Sequence, residues 1–129
     1  MEIVPFEIAQ KLKEKGFYYK CFATYDKDGM LGYNYVQPEK HCAIGFDDCL
    51  CSNNIEDNGC IDAPTISQVL KWLREKKIYV SVEVEREDWF EYKIVQTIKN
   101  TRMNSTKVYE TYLEAILAGI EYVLDNDLI

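Results

Sequence analysis

Residues 8–18 read IAQKLKEKGFY and residues 69–79 read VLKWLREKKIY. In each, an amphipathic helical pattern runs into a Glu-Lys-x-Phe/Ile junction, and the period-two pattern of a β-hairpin follows. Two such helix-to-strand switches at similar junctions restrict the chain to a small α+β architecture. A half-apolar hairpin must be covered, and the adjoining helix is the element at hand to cover it. The expected fold is α+β, with an antiparallel sheet from helix-plus-hairpin units packed by helices on one face. The units fall at residues 5–36 and 65–98, as a pseudo-repeat, and a C-terminal helix follows at 111–125. At 129 residues the whole chain fits a single domain.

In the first unit Pro5 suits a first helical position and Gly16 a helix stop, which predicts a helix over 5–15. Phe6, Ile8, Ala9 and Leu12 form its inward stripe. Residues 17–25 read as a strand with Phe17, Tyr19, Cys21, Ala23 and Tyr25 on one face. Asp26-Lys27-Asp28-Gly29 is a hairpin turn, and 30–36 the returning strand. Residues 37–63 carry no clear period and are long for a loop inside a compact domain. They hold either a short strand near 43–46 or a functional loop.

The second unit starts on a capping box, Thr65 with Gln68. Ile66, Val69, Leu70 and Leu73 face inward, and the helix should end near Lys76 or Lys77. Ile78, Val80, Val82 and Val84 then alternate with Tyr79, Ser81, Glu83 and Glu85. Arg86-Glu87-Asp88 makes the turn, and Phe90, Tyr92, Ile94 and Ile98 continue the inward face. Residues 100–106 are polar, and 107–109 read as a short third strand. A second capping box, Thr111 with Glu114, opens the last helix. Leu113, Ile116, Leu117, Ile120, Val123 and Leu124 are its apolar stripe, and Gly119 within it implies close packing on a sheet.

The net charge of −7 sets phosphate backbones at a disadvantage. The order helix–strand–strand–strand–helix in the second half is that of double-stranded-RNA-binding folds, but this analogy of order alone is opposed by the charge. An acidic surface favours solubility and, at most, a basic partner. No apolar run approaches the ~18–20 residues that span a bilayer. The first residues lack the basic and apolar regions of a secretory signal. A cytoplasmic location with no membrane partner is expected, and the five Cys are expected to be reduced.

Candidate chemistry is concentrated at His41, Cys42, Cys49, Cys51 and Cys60. Thiolates with an imidazole are the ligand set of tetrahedral zinc. The spacing Cys-x6-Cys-x-Cys-x8-Cys departs from the paired knuckle that wraps one ion. Free thiols or small core residues are therefore the preferred reading, with no cofactor, and zinc is the alternative. A Cys–His nucleophile pair is disfavoured, since His41 and Cys42 are chain neighbours that point apart. The acidic pairs Asp47-Asp48, Glu56-Asp57 and Glu87-Asp88 read as solvated turns. No phosphate-binding glycine loop, nucleophile elbow or calcium loop is present. Tyr79 on the wet strand face, with Tyr18, Trp72 and Trp89, forms a candidate recognition patch. Glu83 and Glu85 beside Tyr79 favour a protein over a nucleic acid.

The segment Ala63-Pro64-Thr65-Ile66, then Val69-Leu70-Lys71-Trp72-Leu73-Arg74-Glu75-Lys76, resembles small uncharacterised proteins of gut Bacteroides-type bacteria and their prophages. So do Thr111-Tyr112-Leu113-Glu114-Ala115, Ala118-Gly119-Ile120-Glu121-Tyr122, and the opening from Phe6 to Phe17. The Cys-rich loop is not part of the resemblance. No catalytic residue carries over from it. It implies a cytoplasmic accessory protein of mobile elements. The function expected is a small acidic, non-enzymatic interaction module, phage- or mobile-element-derived, that binds a host or phage protein. A zinc-stabilised binding domain using residues 42–60 is the alternative, and a small hydrolase or thiol enzyme ranks below both.

Overall fold

The computed structural model describes residues 2–33 and 60–129. The fold is α+β, with three helices and two three-stranded antiparallel sheets among the described residues. The chain divides into two compact units, residues 1–68 and 69–129.

In the first unit, α1 (Phe6–Glu14) buries Ile8, Ala9 and Leu12. Pro5 is the N-cap rather than the first helical residue: its backbone is extended (φ −64°, ψ 161°), and its carbonyl accepts from Ala9 N at 3.0 Å. The helix ends in a Schellman motif. Gly16 takes φ +86°, its N–H donates to Lys13 O at 3.1 Å, and Phe17 N donates to Leu12 O at 3.0 Å. Glycine reaches this left-handed conformation without a Cβ clash, so the chain stops where the sequence places the stop.

Strands β1 (Ala23–Tyr25) and β2 (Leu31–Tyr33) form the first hairpin. Asp26 Oδ1 accepts from Asp28 N at 2.8 Å and from Met30 N at 3.0 Å, an Asx-type anchor for the turn. β3 (Ile61–Asp62) pairs on the other edge of β1, giving the order β2-β1-β3. The Tyr25 hydroxyl donates to Val4 O at 2.6 Å, and Val4 N donates to Pro64 O at 3.0 Å. Only the last three residues of the strand expected over 17–25 join a ladder. The alternation of buried and open side chains nevertheless runs from Phe17 to Ala23, as the period predicts. Continued past Ala23, the β1–β2 register falls on residues outside the described ones, as does the possible strand near 43–46.

The boundary between units lies inside α2 (Ile66–Glu75). Both arms of its capping box are made: Gln68 N donates to Thr65 Oγ1 at 3.1 Å, and Thr65 N to Gln68 Oε1 at 2.9 Å. Val69, Trp72 and Leu73 are buried. Lys77, at φ 64°, turns the chain directly into β4 (Ile78–Arg86).

In the second unit, β4, β5 (Trp89–Gln96) and β6 (Thr101–Asn104) lie in chain order. Helix α3 (Tyr112–Asp125) packs on β4 and β5. Its N-cap forms as the sequence predicts, with Glu114 N donating to Thr111 Oγ1 at 3.1 Å. A Cβ on Gly119 would lie 2.8 Å from Val80 Cγ1 and 3.1 Å from Tyr92 Cβ, so helix and sheet meet closer than any larger residue allows.

Four expectations are corrected. The hairpins do not merge into one sheet among the described residues; β3 takes the free edge of β1, so the first hairpin completes a sheet of its own. The third strand of the second unit is Thr101–Asn104, not 107–109. The tight turn after Gln96, with Asn100 N donating to Thr97 O at 3.3 Å and Asn100 at φ 52°, returns the chain at once onto β5. Tyr109 makes a single bridge to Phe90, exchanging bonds of 2.9 and 2.8 Å. Ile98, expected to face inward, sits in that turn and is 80% exposed. In α3, Leu113 also lies exposed, in the first turn of the helix.

Candidate functional site

The sheet of the second unit has one covered and one open face. Val80 and Tyr92 meet Gly119, so the even-numbered residues of β4 and β5 turn toward α3. By strand alternation the odd-numbered ones turn away. Cross-strand pairing then builds the open face in rows. Tyr79 stands opposite Val95, which stands opposite Arg102. Ser81, Lys93 and Asn104 form the second row, and Glu83 faces Glu91 in the third. At the turn end, a register shift between Val84 and Arg86 inserts one extra residue. Such a bulge reverses the side-chain phase, so Arg86 joins the open face opposite Trp89. Its guanidinium lies 4.1 Å from the indole centroid.

The face carries two carboxylates, Glu83 and Glu91, at its centre, and three cations, Lys93, Arg86 and Arg102, around them. Glu83 and Glu91 are directly opposed, an arrangement that disfavours the sheet when both are charged. Lys93 Nζ reaches Glu83 Oε1 at 3.3 Å, with the two side chains 29% and 40% exposed. At that exposure the ion pair contributes little to stability. Tyr79 is 38% exposed and Trp89 half-buried, so aromatic surface stands at both ends of the carboxylate pair.

Tyr79 and Trp89 thus share one face. Trp72 does not belong to it: the indole is 1% exposed, at the helical position between Val69 and Leu73, with Lys76 Nζ 4.8 Å from its centroid. An apolar group of that size on the inward side of α2 gains more from burial than a surface position offers. Arg86, Glu91 and Lys93 escaped sequence reasoning, because their place on this face depends on the β4–β5 register and on the bulge. The alternation of Glu91, Lys93 and Val95 against Tyr92 and Ile94 was the available signal.

Of the proposed metal ligands, His41, Cys42, Cys49 and Cys51 lie outside the described residues. Cys60 is half-buried and immediately precedes β3. Among the described residues no group of three or more His, Cys, Asp or Glu is placed to hold a metal ion.

In the first unit, burial pushes the Cys21 thiol up to about 12, with the Asp62 carboxylate adding to the shift. Its Sγ donates to Tyr19 O at 3.4 Å. Asp62 is itself raised to about 6 by burial, against a lowering pull from Lys13, and its Oδ1 has no hydrogen-bond partner among the described residues. A buried thiol held protonated in this way has the character of a structural cysteine. A cleft of about 480 Å³, lined by Phe6, Gln10, Lys13, Glu14, Lys27 and Ile61, opens in the same unit. The charged groups of its described lining are Lys13, Glu14 and Lys27.

Among the described residues no helix is long and apolar enough to cross a membrane. Comparison of the chain with known protein families, with curated proteins and with solved structures finds no match.

Proposed function

We propose that this protein is a non-enzymatic interaction module whose open sheet face in the second unit recognises a basic segment of a protein partner. The observation that carries the reading is the opposed Glu83–Glu91 pair, bracketed by Tyr79 and Trp89, with Lys93 paired to Glu83 and with Arg86 and Arg102 at the ends of the same face. Two carboxylates facing one another across a ladder weaken the sheet unless a cation joins them. A Lys or Arg from a partner would supply that cation, and the aromatic groups would stack on its alkyl stem or guanidinium plane. Aromatic side chains are also the groups that most often anchor interfaces. The net charge of −7 acts in the same direction by drawing basic partners toward the chain.

A nucleic acid is disfavoured by the net charge of −7 and by the two carboxylates at the centre of the face, although Lys93, Arg86 and Arg102 share it. The resemblance to proteins of Bacteroides-type bacteria and prophages makes a host or phage protein the natural partner and the cytoplasm the natural location. The zinc alternative rests on the sequence of residues 41–60, and native mass spectrometry before and after a chelator decides it. The recognition reading is tested by affinity capture from the encoding cells with wild-type protein, Tyr79→Ala and Glu91→Lys. A discrete partner held by the wild type and lost by both variants supports it. A partner retained by both overturns the assignment of the face.

A further inference from the structure

Strand β4 is an edge. It pairs with β5 on one side, and among the described residues no strand lies on the other. The phase of its free groups follows from one bond. Thr97 N donates to Lys77 O at 3.2 Å, so Lys77, Tyr79, Ser81 and Glu83 are the residues bonded to β5. Phe90, opposite Val84, exchanges both its bonds with Tyr109 on the far side of β5, which agrees. The N–H and C=O groups of Ile78, Val80, Val82 and Val84 therefore point outward. The strand is nine residues long and has no proline. Val84 on it is 61% exposed. Edges are usually blunted by proline, by charge along the strand or by a bulge; here the bulge, Glu85 and Arg86 come only after Val84, and residues 78–84 pair regularly with one charge, Glu83.

Charge on this edge is instead polarised. Lys76 and Lys77 precede the strand, while Glu85, Glu87 and Asp88 stand at its far end. An edge basic at one end and acidic at the other is self-complementary to an antiparallel copy. We infer that β4 pairs antiparallel with β4 of a second copy of this chain, about a two-fold axis at Val82. In that register Val82 opposes the second copy's Val82, and Val80 opposes the second copy's Val84, which covers the exposed isopropyl group. The turn with Lys76 and Lys77 then approaches the second copy's turn with Glu87 and Asp88. A register centred one residue earlier sets Lys77 against Glu85 but Lys76 against Arg86, so its charge pairs cancel instead of adding. The pairing joins two three-stranded sheets into one of six strands.

A strand pair of this length covers less than the ~800 Å² per partner of a standard interface. The dimer is therefore reversible and salt-sensitive, and it forms as concentration rises. This inference does not depend on the recognition reading, since it uses the edge of the sheet and not its open face.

The test is sedimentation velocity from low micromolar to near-millimolar protein. The wild type should shift from monomer to dimer. Lys76→Glu with Lys77→Glu should remain monomeric, as should Glu87→Lys with Asp88→Lys, each retaining its circular dichroism spectrum. An equimolar mixture of the two variants should dimerise again, because each end then meets opposite charge. If replacement of Lys76 beside Trp72 disturbs folding, Lys77→Glu and Glu87→Lys alone carry the same comparison. A wild type that stays monomeric throughout overturns the inference. So do variants that dimerise singly as well as the wild type does, or fail to recover when mixed.

Discussion

Cys21 shows what burial does to a reactive group. Burial pushes its thiol up to about 12, so at neutral pH it is a small apolar side chain that donates a weak hydrogen bond to Tyr19 O. Native protein treated with iodoacetamide at pH 8 should leave Cys21 unmodified on a timescale of hours, and unfolded protein should lose the protection. Peptide mapping by mass spectrometry reads the difference. Rapid native labelling of Cys21 would mean that the site is open. On the open sheet face the reasoning runs the other way. Glu83 and Glu91 keep access to water, and the side chains around them are placed to meet something from outside. Glu91 and Lys93 differ from Tyr92 and Ile94 only in the parity of their positions, and parity alone decides which of them a partner meets.

At the scale of elements, the contact between α3 and the β4–β5 sheet sets the second unit. Ala at Gly119 gains ~1 kcal/mol of helix propensity. Its methyl would stand 2.8 Å from Val80 Cγ1 and 3.1 Å from Tyr92 Cβ. Overpacking of that kind costs about 1–3 kcal/mol, and Tyr92 Cβ sits too near the backbone to yield. Gly119→Ala should therefore lose about 1 kcal/mol in urea denaturation, and a variant more stable than wild type would contradict the close approach. This contact was legible in the sequence as a glycine inside an apolar stripe. The capping boxes at Thr65 and Thr111, the Gly16 stop and the Asp26 turn were legible too, since each is set by residues within four positions of one another. Strand pairing was not. The third strand depends on a left-handed Asn100 in a four-residue turn, and the open face depends on a one-residue bulge. Neither changes the hydrophobic period that the sequence displays. Trp72 was misread because it adjoins the stripe of α2, and its size draws it inside.

At the scale of the whole molecule, two compact units of different sheet topology share a net charge of −7. The first half places helix, turn and hairpin in the order the sequence predicts. The second half adds the third strand and the long helix that leave one sheet face free. What the chain offers a partner, in this account, is that face: Tyr79 and Trp89 around the Glu83–Glu91 pair, with an edge at β4 through which two copies meet. The most direct measurement is site-specific photocrosslinking in the encoding cells, with p-benzoylphenylalanine at Tyr79 and, as control, at Tyr112. Tyr112 is 54% exposed but lies on α3. A discrete adduct with another protein should form from position 79 and not from 112, and should fade when Glu83 and Glu91 are both changed to Gln. Adducts of equal yield from both positions, or from 112 alone, would contradict the claim that the open sheet face is the recognition surface.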